Sequence, residues 1–121
     1  INRAVDKLKA GCSLVVFPEG HRSTDGVMQE FKNGGFKLAQ KAHVPIVPVT
    51  IIGSHRVLKK DSLIFHAGEI QVIIDPPLST EGYSSRTLPE LMQKTRTIIA
   101  DHLGQPAVVV EKSLEFLKSN A

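Results

Sequence analysis

One short segment of the chain combines residue types that suit an anion. Residues 17–23 read F-P-E-G-H-R-S. Gly20 allows the backbone to bend and an anion to approach closely, and Arg22 presents a planar fork of donors that matches phosphate oxygens two at a time. A Glu19 carboxylate would repel phosphate, so we expect it to orient Arg22 or to accept a hydrogen bond from a ligand hydroxyl. The segment predicts a phosphate-binding loop, with a plain surface turn as the alternative for so short a motif.

The apolar run before this segment must position it. Residues 13–17 read S-L-V-V-F, which predicts a short buried strand that Pro18 ends sharply. Open α/β folds place ligands in loops at the ends of such strands. The single Cys12 excludes an internal disulfide, and we expect it to be a small buried residue of this strand.

A helix downstream can contribute to the same site. Residues 36–42 predict a helix, with Gly34 and Gly35 just before it and Lys32 beside its N-terminus. Unpaired N–H groups at a helix N-terminus bind phosphate where small residues allow it to approach. We therefore expect Arg22, Lys32 and these amides to share one anion, while an ordinary solvated lysine is the alternative for Lys32.

Three sequence blocks then follow one another in a specific order. Residues 17–23, 31–36 and 44–49 read F-P-E-G-H-R-S, F-K-N-G-G-F and V-P-I-V-P-V. They resemble the F-P-E-G-T-R-S, F-K-x-G-x-F and V-P-I-V-P-V blocks of glycerolipid acyltransferases, above all the 1-acylglycerol-3-phosphate (lysophosphatidic acid) acyltransferases. The motif-bearing part covers about residues 8–77.

The resemblance implies an activity and its partners. A fatty acyl group would pass from acyl-CoA or acyl carrier protein to the free hydroxyl of lysophosphatidic acid, in phospholipid biosynthesis. The chain would act at a membrane surface, on the cytoplasmic face, without a metal or redox cofactor. The resemblance does not determine the donor, the acyl chain length or the oligomeric state.

The resemblance also implies roles for individual residues. It implies that the acceptor phosphate is bound by Glu19, Gly20, His21, Arg22, Ser23, Lys32 and Gly34. It implies that the acyl donor lies against Val44, Pro45, Ile46 and Pro48. His21 stands where the family usually has Thr, and we expect its imidazole to face solvent rather than the ligand.

The family's catalytic block does not occur in this sequence. That block is His-x-x-x-x-Asp, and none of the five histidines has an Asp five positions later. Since the chain opens on Ile1, we expect it to be the C-terminal part of an acyltransferase domain whose upstream part carries a histidine general base and its aspartate. A non-catalytic anion- or lipid-binding module is the alternative. If this chain were active alone, His21 would be the first candidate for the base.

Composition and periodicity predict one partial α/β domain over residues 1–121, with a mixed sheet flanked by helices. With 41% hydrophobic residues the chain can bury one modest core. The last helix should begin with a capping box and turn an apolar stripe toward the core. The predicted elements are helices at 1–8, 36–42 and 88–104, strands at 13–17, 44–52, 63–66 and 69–75 with a hairpin turn at 67–68, a basic connection at 54–62, and a tail at 105–121.

Charge and composition also exclude some classes of function. The net charge of +3 favours anionic partners such as phospholipid head groups or coenzyme A. The absence of Trp, the single Tyr and the scattered basic residues argue against nucleic acid, although a structural or nucleic-acid-binding domain remains a third alternative. The longest apolar stretch, at residues 44–52, is far shorter than the ~20 residues that span a bilayer, and no Cys and His pattern has the spacing of a zinc site.

Overall fold

The computed structural model describes residues 1–58 and 60–105 of the chain. The elements in chain order are α1 (Asn2–Lys9), α2 (Gly34–Ala42), β1 (Val49–Ile52), α3 (Ser54–Val57), β2 (Gln71–Ile74) and α4 (Leu88–Leu103). The predicted α/β class is confirmed. Lys59 and the predicted tail after Gln105 lie outside the described residues.

The sheet formed by the described residues is a pair of antiparallel strands. Val49 lies opposite Ile74, and Ile52 lies opposite Gln71. Partners in an antiparallel pair project toward the same face of the sheet. Thr50 on β1 is fully buried, and α4 packs against β1, so α4 covers one face. The other face carries exposed apolar side chains, of which Ile74 is 71% exposed.

The strand predicted at residues 44–52 is interrupted at its prolines, where their missing N–H groups predict an end, a bend or an edge position. β1 begins only at Val49, after Pro45 and Pro48, which have no N–H to donate to a ladder. Between the two prolines, Ile46 forms an isolated bridge with Leu78, with N–H to O distances of 2.9 and 2.7 Å in the two directions. The prolines therefore interrupt the pairing and do not abolish it.

The hairpin predicted around residues 67–68 is wrong. Residues 63–66 form no strand, and β2 is confined to Gln71–Ile74 within the predicted strand at 69–75. β2 pairs with β1 instead, and the N–H of His66 donates to the carbonyl of Val57 at 2.8 Å. The periodicity of a strand is local, whereas its pairing depends on which partner is available.

The buried strand predicted at residues 13–17 is also wrong for the described chain. This segment has no ladder partner, Val15 is 80% exposed, and Cys12 is exposed as well. Among the described residues no strand pairs with it, and its apolar side chains stay largely exposed, Phe17 by 72%. An apolar run needs a pairing strand and a covering layer to become a buried strand.

Among the described residues, α1, α2 and α4 follow the predictions closely except at their caps, whereas α3 was not predicted. α2 begins at Gly34, two residues early, and α3 occupies the start of the predicted basic connection. α4 ends at Leu103 and is followed by Gly104, which adopts the left-handed conformation typical of a helix C-cap. The expected capping box is wrong, because Thr87 Oγ1 accepts a hydrogen bond from the N–H of Ser84 at 2.8 Å. The N–H of Glu90 is bound by the Thr87 carbonyl instead.

The core lies between α2, α4 and the segment that precedes α2. Its buried members are apolar side chains from these three parts, and aromatic rings from two of them, Phe31 and Phe36, lie 6.3 Å apart between centroids. The cluster consists of Met28, Phe31, Phe36, Leu88, Leu91 and Ala100. The residues between the first two motif blocks therefore supply part of the core of the domain.

Two adjacent glycines at the start of α2 provide a test of this packing. A Cβ at Gly35 would lie 2.7 Å from Val16 Cγ1, while one at Gly34 would meet nothing within 4 Å. We expect Gly35→Ala to lower the free energy of unfolding by about 1–3 kcal/mol through overpacking. Gly34→Ala should be neutral or stabilising by up to ~1 kcal/mol through helix propensity.

Chemical denaturation of the full-length protein measures both variants. Adding Val16→Ala to Gly35→Ala should recover part of the loss, because it removes the methyl group that the new Cβ meets. Equal stabilities for the two alanine variants would contradict the close approach of α2 to residue 16.

Candidate functional site

The predicted phosphate-binding segment belongs to a loop that closes on itself. The N–H of Lys32 donates to the carbonyl of Pro18 at 2.8 Å, which joins the two ends of residues 18–32. At the start of this loop the N–H of Gly20 donates to the carbonyl of Phe17 at 3.0 Å and forms a tight turn. Loops with such closely spaced ends are compact and often functional.

Closure of the loop brings Lys32 onto Gly20. A Cβ at Gly20 would lie 3.1 Å from both Cε and Nζ of Lys32, and Gly20 has a φ of +78°. Two features therefore favour glycine at position 20: its left-handed backbone and the Lys32 side chain that lies over it. The first two motif blocks, which are separate in sequence, meet at this contact.

Glu19 has a different partner from the expected Arg22. Its Oε2 accepts a hydrogen bond from the backbone N–H of Gln29 at 2.7 Å. A partly buried N–H needs an acceptor, and a charged acceptor forms a strong bond. The carboxylate therefore ties the outgoing arm of the loop to its returning arm.

The next residues of the loop lie at its surface. His21 and Arg22 are exposed and Ser23 is half-buried. The Nδ1 of His21 is 3.2 Å from the carbonyl oxygen of Arg22, a distance that fits a hydrogen bond donated by the ring. Within the part of the chain that the structure describes, no hydrogen bond or ion pair engages the guanidinium of Arg22. Its donors therefore face solvent, where an anionic ligand can reach them.

An open depression of about 480 Å³ lies against the inner side of this loop. Residues from both ends of the loop line it, among them the carboxylates of Glu19 and Glu30 and the ammonium of Lys32. Its lining residues are Glu19, His21, Val27, Met28, Gln29, Glu30, Phe31 and Lys32. Of the predicted phosphate-binding residues, Glu19, His21 and Lys32 share this depression.

Gly34 lies at the N-terminus of α2, two residues after Lys32. The preceding N-cap residue, Asn33, makes no side-chain hydrogen bond to the helix. Because the first N–H groups of a helix have no intrahelical partner, those of α2 remain available for an acceptor. The space beside Gly34 is open, so an anion can approach this helix end. Its role in binding phosphate stays a prediction.

The predicted acyl-donor block leads into the sheet, since β1 begins at Val49, the last residue of the block. The carbonyl of Val44 accepts a hydrogen bond from Thr80 Oγ1 at 3.0 Å, and that of Pro48 accepts one from the N–H of Asp75 at 3.0 Å. Pro48 is buried, whereas Pro45 is exposed. Together with the Ile46 bridge, these bonds fix the block to the segment around β2. Contact with an acyl donor stays a prediction.

The sequence analysis missed Arg96, which binds the returning arm of the loop. This residue lies on α4, is only 2% exposed, and donates to the carbonyls of Met28, at 3.2 Å, and Gln29. Its guanidinium carbon lies 5.1 Å from the centroid of the Phe31 ring, a cation–π arrangement. Its spacing in the sequence could have indicated that Arg96 is buried. It lies four residues before Ala100, a buried residue of the same helix, and residues four apart lie on the same helix face.

Burial and nearby charges act in opposite directions on Arg96. Desolvation lowers its pKa below the ordinary value, and the negative charges of Glu19 and Glu30 oppose that shift. The guanidinium remains protonated because arginine does not deprotonate in proteins. Arg96 is therefore a buried cation within the electrostatic reach of the loop.

Gln105, just after α4, binds the same arm. Its Oε1 accepts a hydrogen bond from the N–H of Met28 at 2.8 Å, and its Nε2 donates to the carbonyl of Gly26 at 3.0 Å. The backbone groups of Gly26, Met28 and Gln29 thus bond to side chains of Glu19, Arg96 and Gln105. A loop that lies outside helices and strands satisfies its polar groups in this way.

The described part of the chain contains neither a metal-binding cluster nor a helix that could span a membrane. No group of three or more His, Cys, Asp or Glu side chains in residues 1–58 and 60–105 could hold a metal ion. None of the helices there has both the length and the apolar character needed to cross a bilayer.

Comparison with known proteins supports the three motif blocks. Residues 1–52 match the family model described as Acyltransferase. The chloroplastic 1-acyl-sn-glycerol-3-phosphate acyltransferase of Brassica napus is 39% identical over 79 residues, which are 64% of this chain and 23% of that protein. The human 1-acyl-sn-glycerol-3-phosphate acyltransferase alpha is 41% identical over 81 residues, which are 67% of this chain and 29% of that protein.

A solved structure has the same fold. The crystal structure of the 1-acyl-sn-glycerophosphate (LPA) acyltransferase PlsC from Thermotoga maritima superposes with a TM-score of 0.76 at 34% identity. The match covers 84% of this chain and 41% of that one. This chain is thus similar to members of the acyltransferase family. Within it, the chain is similar to the 1-acylglycerol-3-phosphate acyltransferases, and it spans about a quarter of the length of the Brassica and human relatives.

The contact between Lys32 and Gly20 generates a prediction with a matched control. Gly20 and Gly11 have φ angles of +78° and +94°, but a Cβ at Gly11 would meet nothing within 4 Å. We expect alanine at either position to lower the free energy of unfolding by about 1–2 kcal/mol, the cost of a left-handed backbone. Only Gly20→Ala should also displace the ammonium of Lys32.

Chemical denaturation measures the first effect, and the NMR signal of the Lys32 side chain reports the second. A Lys32 signal that moves equally in both variants, or in neither, would contradict the contact.

Proposed function

We propose that the protein containing this chain is a 1-acylglycerol-3-phosphate acyltransferase, and that this chain supplies the site for the acceptor's phosphate. The observation that carries the proposal is the closed loop at residues 18–32, which places the Lys32 ammonium on Gly20 of the F-P-E-G segment. The identity of about 40% with the acyltransferases of Brassica and human supports the choice of substrate class.

The reaction needs two cations near the phosphate and a base near the hydroxyl. Arg22 would bind phosphate oxygens through its planar fork and Lys32 through a point charge, with the free N–H groups at Gly34 nearby. Held in this way, the acceptor presents its hydroxyl to the thioester carbonyl, and such positioning is a large catalytic effect. The hydroxyl oxygen forms an ester bond to the acyl carbon, and the carbon–sulfur bond breaks. The hydroxyl proton passes through a base to the leaving thiolate, which is released as the thiol.

The base is not assigned to a residue of this sequence. In the resemblance it is the histidine of a His-x-x-x-x-Asp block, and no such block occurs in the 121 residues. A histidine oriented by an aspartate is an effective general base near neutral pH. The proposed division of labour assigns proton transfer to that block and phosphate binding to this chain.

The acyl donor and the membrane complete the proposal. The V-P-I-V-P-V block, with Val44, Pro45, Ile46 and Pro48, would lie along the acyl donor, either acyl-CoA or acyl carrier protein. The net charge of +3 favours contact with anionic lipid head groups. The acceptor is itself a lipid, so we propose that the enzyme works at a membrane surface, on its cytoplasmic face.

The first experiment measures thiol release from acyl-CoA by the full-length protein, with lysophosphatidate as the acceptor. Release that depends on the acceptor would support the acyltransferase. The alternative is a non-catalytic anion- or lipid-binding module. It would show saturable lysophosphatidate binding without thiol release from either donor.

A second experiment tests the two cations. We expect Arg22→Gln and Lys32→Met each to raise the KM for lysophosphatidate about 10- to 150-fold, since a hydrogen bond to a charged group contributes about 1.5–3 kcal/mol. Lys41→Met removes an exposed lysine at the opposite end of α2 from Gly34 and serves as the control. Steady-state kinetics at fixed acyl-CoA give the values.

The KM for acyl-CoA should stay unchanged in all three variants. An acceptor KM that stays at the wild-type value in both Arg22→Gln and Lys32→Met would rule out the phosphate assignment, even if the protein is an acyltransferase.

A further inference from the structure

We propose that Arg96 of α4 is a positioning residue for the acceptor site, acting through the returning arm of the loop at residues 18–32. The inference rests on the proposed function, because it concerns the same phosphate site. It adds a residue from the C-terminal helix, far from the three motif blocks in sequence.

The first step of the argument is where Arg96 binds. Its two terminal nitrogens donate to the carbonyls of Met28 and Gln29, and its face covers Phe31. These residues come immediately before Lys32 on a short arm of the loop. A planar fork that binds two successive carbonyls fixes the orientation of both peptide units. The arm of the loop that leads to Lys32 is therefore held from α4 at Met28 and Gln29.

The second step connects the same peptide units to the opposite arm. The N–H of Gln29 is bound by Glu19, while the carbonyl of Gln29 is bound by Arg96. The charge of Glu19 also stabilises the Arg96 cation. Glu19, Gln29 and Arg96 thus form one connected arrangement, and Gly20, which contacts the Lys32 side chain, follows Glu19 directly. A shift at Arg96 reaches both sides of the contact between Lys32 and Gly20.

The third step concerns why a cation is needed there. Burying a guanidinium is costly unless it is paired and hydrogen-bonded, and an aliphatic residue would suffice for packing beside Ala100. The arginine instead provides donors for two carbonyls that lie outside any helix or strand. Its role is therefore to shape the loop, which then determines where the Lys32 ammonium lies.

Arg96→Lys is the main test, made in the full-length protein. Lysine keeps the positive charge toward Glu19 and Glu30 but cannot bind two carbonyls with a planar fork. We expect a five- to fiftyfold increase in the KM for lysophosphatidate, with the KM for acyl-CoA unchanged. Lys94→Met, which removes an exposed cation from the same helix, should change neither value.

Gln105→Ala provides a second variant in case substitution of the buried Arg96 prevents folding. It removes the bonds to Met28 and Gly26 from a less buried position, and we expect a smaller increase in the same KM. Hydrogen exchange should show faster exchange at the amides of Gln29 and Lys32 in Arg96→Lys, and at the amide of Met28 in Gln105→Ala.

The outcomes separate this inference from the proposed function. Arg96→Lys and Gln105→Ala with reduced thermal stability but wild-type KM for lysophosphatidate would overturn the positioning role. If Arg22→Gln raised that KM in parallel experiments, the phosphate site would stand without Arg96. A wild-type protein that neither binds nor acylates lysophosphatidate would overturn both.

Discussion

A buried guanidinium holds the functional loop against the C-terminal helix. Arg96 is almost fully enclosed, and a buried charge is tolerated only where hydrogen bonds and opposite charges compensate for lost water. Two loop carbonyls, the face of Phe31 and the charges of Glu19 and Glu30 supply that compensation. Because Phe31 is also a core residue, packing of the core and shape of the loop depend on the same contact.

This arrangement gives a role to Glu19, a carboxylate that would otherwise be out of place beside the proposed anion site. From the sequence, Glu19 should repel a phosphate at Arg22. In the structure it turns inward, where its oxygen binds the N–H of Gln29 and its charge faces Arg96. The cations of Arg22 and Lys32 are thereby left for a ligand, because the negative charge is offset inside the loop. Glu19 of the F-P-E-G segment therefore contributes to the fold of the loop.

Local signals in the sequence predicted the helices, whereas contacts between distant segments decided the rest. α4 was predicted to within one residue because its periodicity and the glycine at its end are local. The strands at 13–17 and 63–66 were wrong because strand formation needs a partner that periodicity does not specify. Arg96 was overlooked since its partners are backbone carbonyls 67 and 68 residues away, which no sequence pattern records. The contact of Lys32 with the F-P-E-G segment could be anticipated from the order of the motif blocks.

The two proposed phosphate ligands differ in how far the fold prepares them. Lys32 is fixed through its own N–H, through its place just before α2, and through its side-chain contact with Gly20. Arg22 lies on the exposed part of the loop, and ordering its side chain costs up to about 2 kcal/mol of rotamer entropy. In the proposed site a ligand would find the Lys32 ammonium beside Gly20, whereas it would have to immobilise the Arg22 guanidinium. Lys32 would thus set where the phosphate sits, and Arg22, through its fork, would set how the phosphate is oriented.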